Sequence, residues 1–358
     1  MHGNKNPDAQ HRRISLTIPR AMMETMDTEQ ELDLLDRQLV QALRLDGRAS
    51  FSRLATVLGV TDQTVIRRYR RLRGGGLLRV IGLPEAHRVG LHETRLRIQC
   101  ALGAAVPIAD ALARRADSAW VKIYSSGTEV GCLIRSHSRD ERDALLLQKL
   151  PRTQHVTAIT SHDLLHGYSR NPGRRWGAEV LDEGQVRALE RPQATDGDRV
   201  RLDDADRAML ALLARDGRAG YPDLARAAGR SESTVRRRLD HLRESGVLYF
   251  DVEIMPVHFG CETEASLSAT VAPSDLAEVG HALAGHPEVA WAAATTGTSN
   301  LAATVLCRDN KALYAYVTER LGALKAVRQL EVVPVLRAVK RAGLLTDGTR
   351  LFDPPAGG

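Results

Sequence analysis

The chain carries one message twice. Shifted by 170 positions, Leu32–Leu78 falls on Leu202–Leu248 without a gap, and 20 of 47 positions are identical. The shared skeleton runs L-D-x-x-D-R, D-G-R-A, L-A-x-x-x-G, T-V-x-R-R and L-R-x-x-G-x-L. Identity of this kind marks an internal duplication, so any fold for this chain must be built from two copies of one unit.

Each copy reads as three short helices. Asp33 and Asp203 stand at N-cap positions with Asp36 and Asp206 three residues on, which suits the free amides and positive dipole end of a helix start. Apolar residues then recur on one face, at Leu35, Leu39 and Leu43 and at Ala205, Met209 and Leu213. Asp46-Gly47-Arg48 and Asp216-Gly217-Arg218 end the helix, the glycine being expected in a left-handed cap. A second helix is predicted over Ser52–Leu58 and Pro222–Ala228, and Gly59 and Gly229 make the tight turn that follows. Thr61 and Ser231 cap a third helix, in which Val65, Tyr69 and Leu72, or Val235, Leu239 and Leu242, form the inward stripe. Its other face holds Gln63, Thr64, Arg67, Arg70 and Arg71, or Ser233, Thr234 and Arg236 to Arg238. Such a helix fits a major groove, with short polar residues near base edges and arginines on phosphates or guanine. Gly76 and Gly246 then lead into short β segments, Arg79–Ile81 and Tyr249–Val252, as in a winged helix.

A mixed unit follows each helical one. Strands are expected at Arg95–Leu102, Trp120–Tyr124, Gly131–Arg135 and His155–Leu164. Their counterparts are Ala265–Val271, Ala290–Ala294, Ala302–Leu306 and Ala326–Leu336. Helices are expected at Ile108–Arg115 and Arg139–Leu150, and at Leu276–Ala284 and Asp309–Leu321. The order is β-α-β-β-α-β, ferredoxin-like, and such a half-open sheet is expected to bury its apolar face against another. The fold class is therefore α+β, with two winged helix-turn-helix domains alternating with two ferredoxin-like domains. Boundaries fall at 1–28 (a disordered tail), 29–82, 90–168, 169–199 (a linker), 200–252, 260–342 and 343–358 (a tail). Met22, Met23 and Met26 are alternative starts. Asn171-Pro172-Gly173 and Arg191-Pro192 are turn signals in the linker.

Composition narrows the class. With 43% hydrophobic and 26% charged residues over 358 positions, the chain can bury several cores. A net charge of +6 permits a polyanionic partner. Cys100, Cys132, Cys261 and Cys307 lie far apart, and read as small buried hydrophobes in a reducing compartment. The twelve histidines show no metal-ligand spacing, so neither metal nor cofactor is expected. No stretch of about 18 apolar residues is available to span a membrane, and Ile14–Pro19 is too short and polar for a signal sequence. A cytoplasmic location follows.

The order helix-turn-helix, short β segment, then β-α-β-β-α-β resembles the leucine-responsive regulator (Lrp/AsnC) family of transcription factors. The resemblance rests on L-D-x-x-D-R at Leu32–Arg37 and Leu202–Arg207, on D-G-R at 46–48 and 216–218, and on T/S-x-x-T-V-x-R-R from Thr61 and Ser231. The glycine turns at Gly127 and Gly297 match as well. Family members hold one copy per chain and dimerise through the ferredoxin-like domain, so this chain resembles a fused dimer. The implied partners are double-stranded DNA, a small effector such as an amino acid, and further copies of the chain as a homo-oligomer. DNA-binding residues are expected at Thr61, Gln63, Thr64, Arg67, Arg68 and Arg71, and at Ser231, Ser233, Thr234, Arg237 and Arg238. Effector-binding residues are expected at Gly127, Thr128 and Glu129 and at Gly297, Thr298 and Asn300. Val130 and Asn300 occupy the place where the family usually has an aspartate, which weakens the case for an amino acid. Asp62 and Gln63 against Glu232 and Ser233 make the two reading heads unlike, so an imperfect palindrome is the expected target.

Two other readings fit the same fold. One is an enzyme similar to sirohaem decarboxylases, with tetrapyrrole carboxylates held near His87, His92, His155, His162 or His166, or near His258, His281 or His286. The other is an effector-sensing partner without DNA contact. The basic third helices favour the regulator, which is not an enzyme. No G-x-S-x-G, phosphate-binding glycine loop or spaced acid pair supports an unrelated catalyst.

Overall fold

The computed structural model describes residues 32–124, 126–168, 180–190 and 197–354. The expected tail at 1–28, Ser125, and the turn signals at 171–173 and 191–192 lie outside them. In the first half the order is α1 (Leu34–Leu45), α2 (Phe51–Leu58), α3 (Asp62–Gly74), β1 (Leu78–Pro84), β2 (His92–Cys100), α4 (Ala105–Ala113), β3 (Ser118–Tyr124), β4 (Glu129–Ser136), α5 (Arg139–Asp143) and β5 (Val156–Gly167). The linker region holds α6 (Glu183–Leu189). The second half repeats the pattern: α7 (Asp204–Leu213), α8 (Tyr221–Ala228), α9 (Glu232–Glu244), β6 (Leu248–Ile254), β7 (Thr263–Val271), α10 (Leu276–Ala284), β8 (Val289–Thr295), β9 (Leu301–Cys307), α11 (Asn310–Ala315) and β10 (Val327–Ala338). A short hairpin, β11 (Leu345–Thr346) and β12 (Leu351–Phe352), ends the described chain.

The caps are those the residue types dictate. The Asp33 carboxylate accepts the Asp36 amide at 2.9 Å, and Asp203 accepts that of Asp206 at 2.7 Å. Thr61 and Ser231 cap α3 and α9 through the amides of Thr64 and Thr234. Gly59 (φ 66°) and Gly229 (φ 59°) make left-handed turns that a side chain would strain.

The glycines of the two D-G-R motifs have another use. Asp46, not Gly47, caps α1, and neither Gly47 nor Gly217 has a positive φ. A Cβ on Gly47 would stand 2.9 Å from Phe250 Cβ, and one on Gly217 would stand 2.8 Å from the Ile81 backbone. Both glycines admit a close approach of the opposite half. The adjoining arginines seal it reciprocally. Arg48 donates to the carbonyls of Gly217 (2.7 Å) and Ala219 (3.1 Å), and Arg218 donates to those of Gly47 (2.7 Å) and Ala49 (2.9 Å). Arg218 also lies over the rings of Phe51 and Tyr69. Arg73 pairs with Asp216 at 2.6 Å, and Arg243 pairs with Asp46 at 3.0 Å.

The β segments after α3 and α9 differ from a wing folded within its own domain. β1 and β6 pair with each other, antiparallel, with Ile81 opposite Asp251 at the centre of the ribbon. Val252 and Ile254 of β6 thereby enter the core of the first helical domain.

The two ferredoxin-like sheets join by their edges. β5 pairs with β8 and β10 with β3, closing an eight-stranded barrel in the order β10-β3-β4-β2-β5-β8-β9-β7. Among the described residues no edge of these sheets is left to recruit a further strand. The apolar faces are not buried against each other, contrary to the sequence expectation. Leu96, Ile98 and Cys100 pack under the first half's own helices, and Leu267, Ala269 and Val271 under the second's. Because strand side chains alternate, the faces that meet across the barrel are polar. There Arg95 donates to Ser266 and Ser268, Arg97 joins Glu129 to Glu331, and Lys122 pairs with Glu264 at 2.6 Å.

The expected C-terminal tail is structured as far as residue 354. Leu344 and Leu351 are buried with Ile81, Leu83 and Met255, and the Leu351 amide donates to the Gly76 carbonyl at 2.7 Å. The linker is not featureless either. Asp182 and Gln185 form a capping box at the start of α6, and Leu181 and Leu189 join the first helical core.

Removing either latch arginine should strip two carbonyls of a charged donor. Arg48→Ala and Arg218→Ala are each expected to cost about 1.5–3 kcal/mol, read by urea unfolding. A loss below about 0.5 kcal/mol in both, the size of an ordinary surface substitution, would show that the latch does not hold the halves together.

Candidate nucleic-acid interface and effector turns

The exposed faces of α3 and α9 carry the residues expected to meet DNA, but their arginines fall into two groups. Arg68 donates to Asp33 at 2.6 Å and to Asp36 at 2.9 Å, and Arg71 also bonds Asp36. Arg238 grips Asp206 with two hydrogen bonds, of 2.8 and 2.7 Å. These three face the first helix of their own domain and fasten the third helix to it. Arg236 lies 4.0 Å from the centroid of the Tyr221 ring. Arg67, Arg70 and Arg237 are exposed, and among the described residues no carboxylate pairs with them. Sequence reasoning missed the division because it did not treat Asp36 and Asp206 as partners for a later helix.

The polar residues at the helix starts cluster at the exposed N-termini. Thr61 and Thr64 share a hydroxyl contact of 3.0 Å. Ser231 meets Ser233 and Thr234 at 3.1 and 2.9 Å. Gln63 is exposed in the first copy, as Ser233 is in the second. The reading heads are thus alike in backbone and different in chemistry.

The two glycine turns expected to bind an effector have diverged. Gly127 (φ 79°) faces open space, with nothing within 4 Å of where its Cβ would be. Gly297 (φ 100°) is covered by the His162 ring, whose Nδ1 is 2.6 Å from the Thr296 carbonyl oxygen. The Asn300 side chain bonds both the amide and the carbonyl of Val271, at 2.9 and 2.8 Å. The Thr298 carbonyl accepts the Thr270 hydroxyl. On the first turn, the Thr128 carbonyl accepts the Cys100 amide at 2.9 Å. Glu129 bonds Arg97 and Gln99 inside the barrel. The first turn opens on a cleft of about 690 Å³, bounded on its far side by β10, the segment after β6 and the C-terminal hairpin.

The histidines considered for a tetrapyrrole site do not gather in one place, although His166 and His281 stand 6.3 Å apart by ring centroid. His258 Nε2 meets the Thr349 carbonyl at 2.8 Å, His286 meets the Tyr316 hydroxyl at 3.1 Å, and His162 covers Gly297. His166 and His281 flank Tyr168 edge-on. No histidine lines the cleft among the described residues. No group of three metal-ligating side chains is found among them either, and no helix is long and apolar enough to cross a membrane.

Comparison with known proteins agrees with this geometry. A model of the AsnC-type helix-turn-helix domain matches residues 32–73 and 202–243, and one of the Lrp/AsnC ligand binding domain matches 264–345. An uncharacterized HTH-type transcriptional regulator of Pyrococcus abyssi is 34% identical over 146 residues, covering 40% of this chain and 92% of its own. An HTH-type transcriptional regulator of Mycobacterium tuberculosis is 35% identical over 141 residues, covering 38% and 93%. Among solved structures, the siroheme decarboxylase NirDL matches with a TM-score of 0.60 at 13% identity, covering 89% of this chain and 94% of that one. That likeness is one of fold.

The Arg238–Asp206 pair makes a pH-dependent contribution. Burial would raise the Asp206 pKa, but the Arg238 hydrogen bonds and the Asp203 amide outweigh it and hold the carboxyl below its ordinary value. The stabilisation is therefore present above the unfolded carboxylate value of about 3.9 and lost as pH falls through the folded-state pKa. Arg238→Met should cost about 1–3 kcal/mol at pH 7 and less at pH 3, by urea unfolding. An equal loss at both pH values would contradict this role.

Proposed function

Because the chain belongs to the Lrp/AsnC family of helix-turn-helix transcriptional regulators, we propose that it is a sequence-specific DNA-binding regulator in which one chain supplies both halves of a dimeric reading unit. The observation that carries this is the pair of recognition helices, α3 and α9, each capped, each exposed along its polar face and held as a pair by the reciprocal D-G-R contacts. A protein with this pseudo-two-fold reads two half-sites, and unlike residues at the helix starts make them unlike. Gln63 and Thr64, with Ser233 and Thr234, stand where base edges would be. Arg67, Arg70 and Arg237 supply the phosphate contacts, while Arg68, Arg71 and Arg238 position the helices.

The effector is a small molecule bound at the first turn, Gly127 to Glu129. The second turn, Gly297 to Asn300, has its polar groups committed to its own strands. The chain works in the cytoplasm, and copies associate through surfaces outside the barrel, whose strand edges are already paired. Non-enzymatic action is favoured over a decarboxylase because no histidine among the described residues lines the cleft and the recognition helices carry exposed arginines.

Selection of bound fragments from genomic DNA should yield an imperfect palindrome. Arg67→Ala with Arg237→Ala should abolish its footprint without altering thermal unfolding, and should lower the salt slope of residual binding by about 2. An unchanged footprint in the double variant would sink the assignment.

A further inference from the structure

We propose that the cleft beside Gly127 is a single, asymmetric binding site for a short apolar peptide, and that its occupancy reaches the first recognition helix through the C-terminal hairpin. The effector part of this inference rests on the regulator reading. Peptide uptake by the cleft does not.

The chemistry of the walls sets the class. Val106, Ile123, Met255, Val257 and Val335 give an apolar surface. Both signs of charge stand among it, with Arg337 and Arg341 against Glu262 and Asp347. An apolar body that ends in an ammonium and a carboxylate matches this arrangement better than a fatty anion or an amine. Arg341 is the buried anchor. Its side chain is 10% exposed, its Nε donates to Glu253 at 2.8 Å, and its buried Nη1, in an ion pair with Glu264 at 3.6 Å, makes no hydrogen bond among the described residues. A buried guanidinium donor without a hydrogen bond is costly, and a ligand acceptor entering the cleft beside it would remove that cost. A bound carboxylate provides that acceptor. At about 690 Å³ the cleft lies in the range that encloses drug-sized ligands and has room for more than one amino-acid residue.

Among the described residues the site has no twin. The second turn is covered by His162. The ribbon carries Asp251 and Glu253 where the first copy carries Ile81 and Leu83, so the pair that seats Arg341 exists once.

The hairpin links cleft to helix. Asp347 and Gly348 at its tip line the cleft. Four residues on, Leu351 bonds Gly76, which ends the turn after α3, and a Cβ on Gly76 would be 2.9 Å from the Leu351 oxygen. Thr349 is held by His258. A ligand that orders the tip therefore bears on the C-terminal end of the first recognition helix.

Calorimetry on the full chain without DNA tests the site, with L-leucyl-L-leucine, L-leucine and octanoate as probes. The dipeptide should bind once per chain, at least tenfold tighter than the other two, and should slow amide exchange at Leu351. Arg341→Met should weaken it at least tenfold. Val106→Trp fills the cleft from the helix surface without touching the buried pairs, and should abolish uptake. No saturable uptake of the dipeptide, equal affinity for leucine, or an unaffected Val106→Trp variant would overturn the proposal. Failure of the full chain to select any genomic DNA fragment, with dipeptide uptake intact, would instead strike the regulator reading.

Discussion

Everything in this molecule depends on two D-G-R motifs that clasp each other across a pseudo-two-fold axis. Each arginine spends its donors on main-chain carbonyls of the opposite half, and each aspartate accepts an arginine from the end of the opposite recognition helix. The glycine between them is small enough to let the partner strand in. Hydrogen bonds from a charged donor to fixed carbonyls are directional, so the contact sets orientation as well as proximity. The spacing and tilt of α3 and α9 follow, because Arg73 and Arg243 lie at their C-terminal ends.

The barrel repeats that logic with β-sheet chemistry. Joining edge strands satisfies backbone groups that a lone ferredoxin-like sheet would leave open, and it lets each sheet keep its apolar face under its own helices. The interior that remains is polar and must be matched group by group. Arg95 against two serines, and Arg97 between Glu129 and Glu331, do that. Burial of unmatched charge would be far more costly than the same volume of apolar side chains. The interior therefore fixes the register of the two halves.

Much of this was legible in the chain itself. The duplication, the caps at Asp33, Asp203, Thr61 and Ser231, the turn glycines Gly59 and Gly229, and the strand order all follow from local residue chemistry. What was not legible depends on partners distant in sequence. Gly47 and Gly217 look like helix caps until Phe250 and Ile81 stand beside them. Arg68 and Arg238 look like phosphate contacts until α1 and α7 present Asp36 and Asp206. The alternating strands reveal a polar face, but not that it would meet another polar face across a closed barrel. The C-terminal residues carry too few apolar positions to announce a hairpin, and Leu344 and Leu351 become core only because Ile81 and Leu83 are there to receive them.

Duplication followed by divergence explains where the two halves differ. A homodimer must use each interface residue twice, so a change that suits one side is imposed on the other. A fused pair escapes that constraint. Asp251 and Glu253 can face Arg341 while Ile81 and Leu83 face an apolar hairpin. One glycine turn can be covered by His162 while the other stays open. The first helical domain is braced by both α6 and the C-terminal hairpin, through Leu181, Leu189 and the Leu351–Gly76 bond. Among the described residues the second has no corresponding helix or hairpin upon it. Two recognition helices on unequal supports respond unequally to the same disturbance, which a symmetric dimer cannot do while it keeps its symmetry.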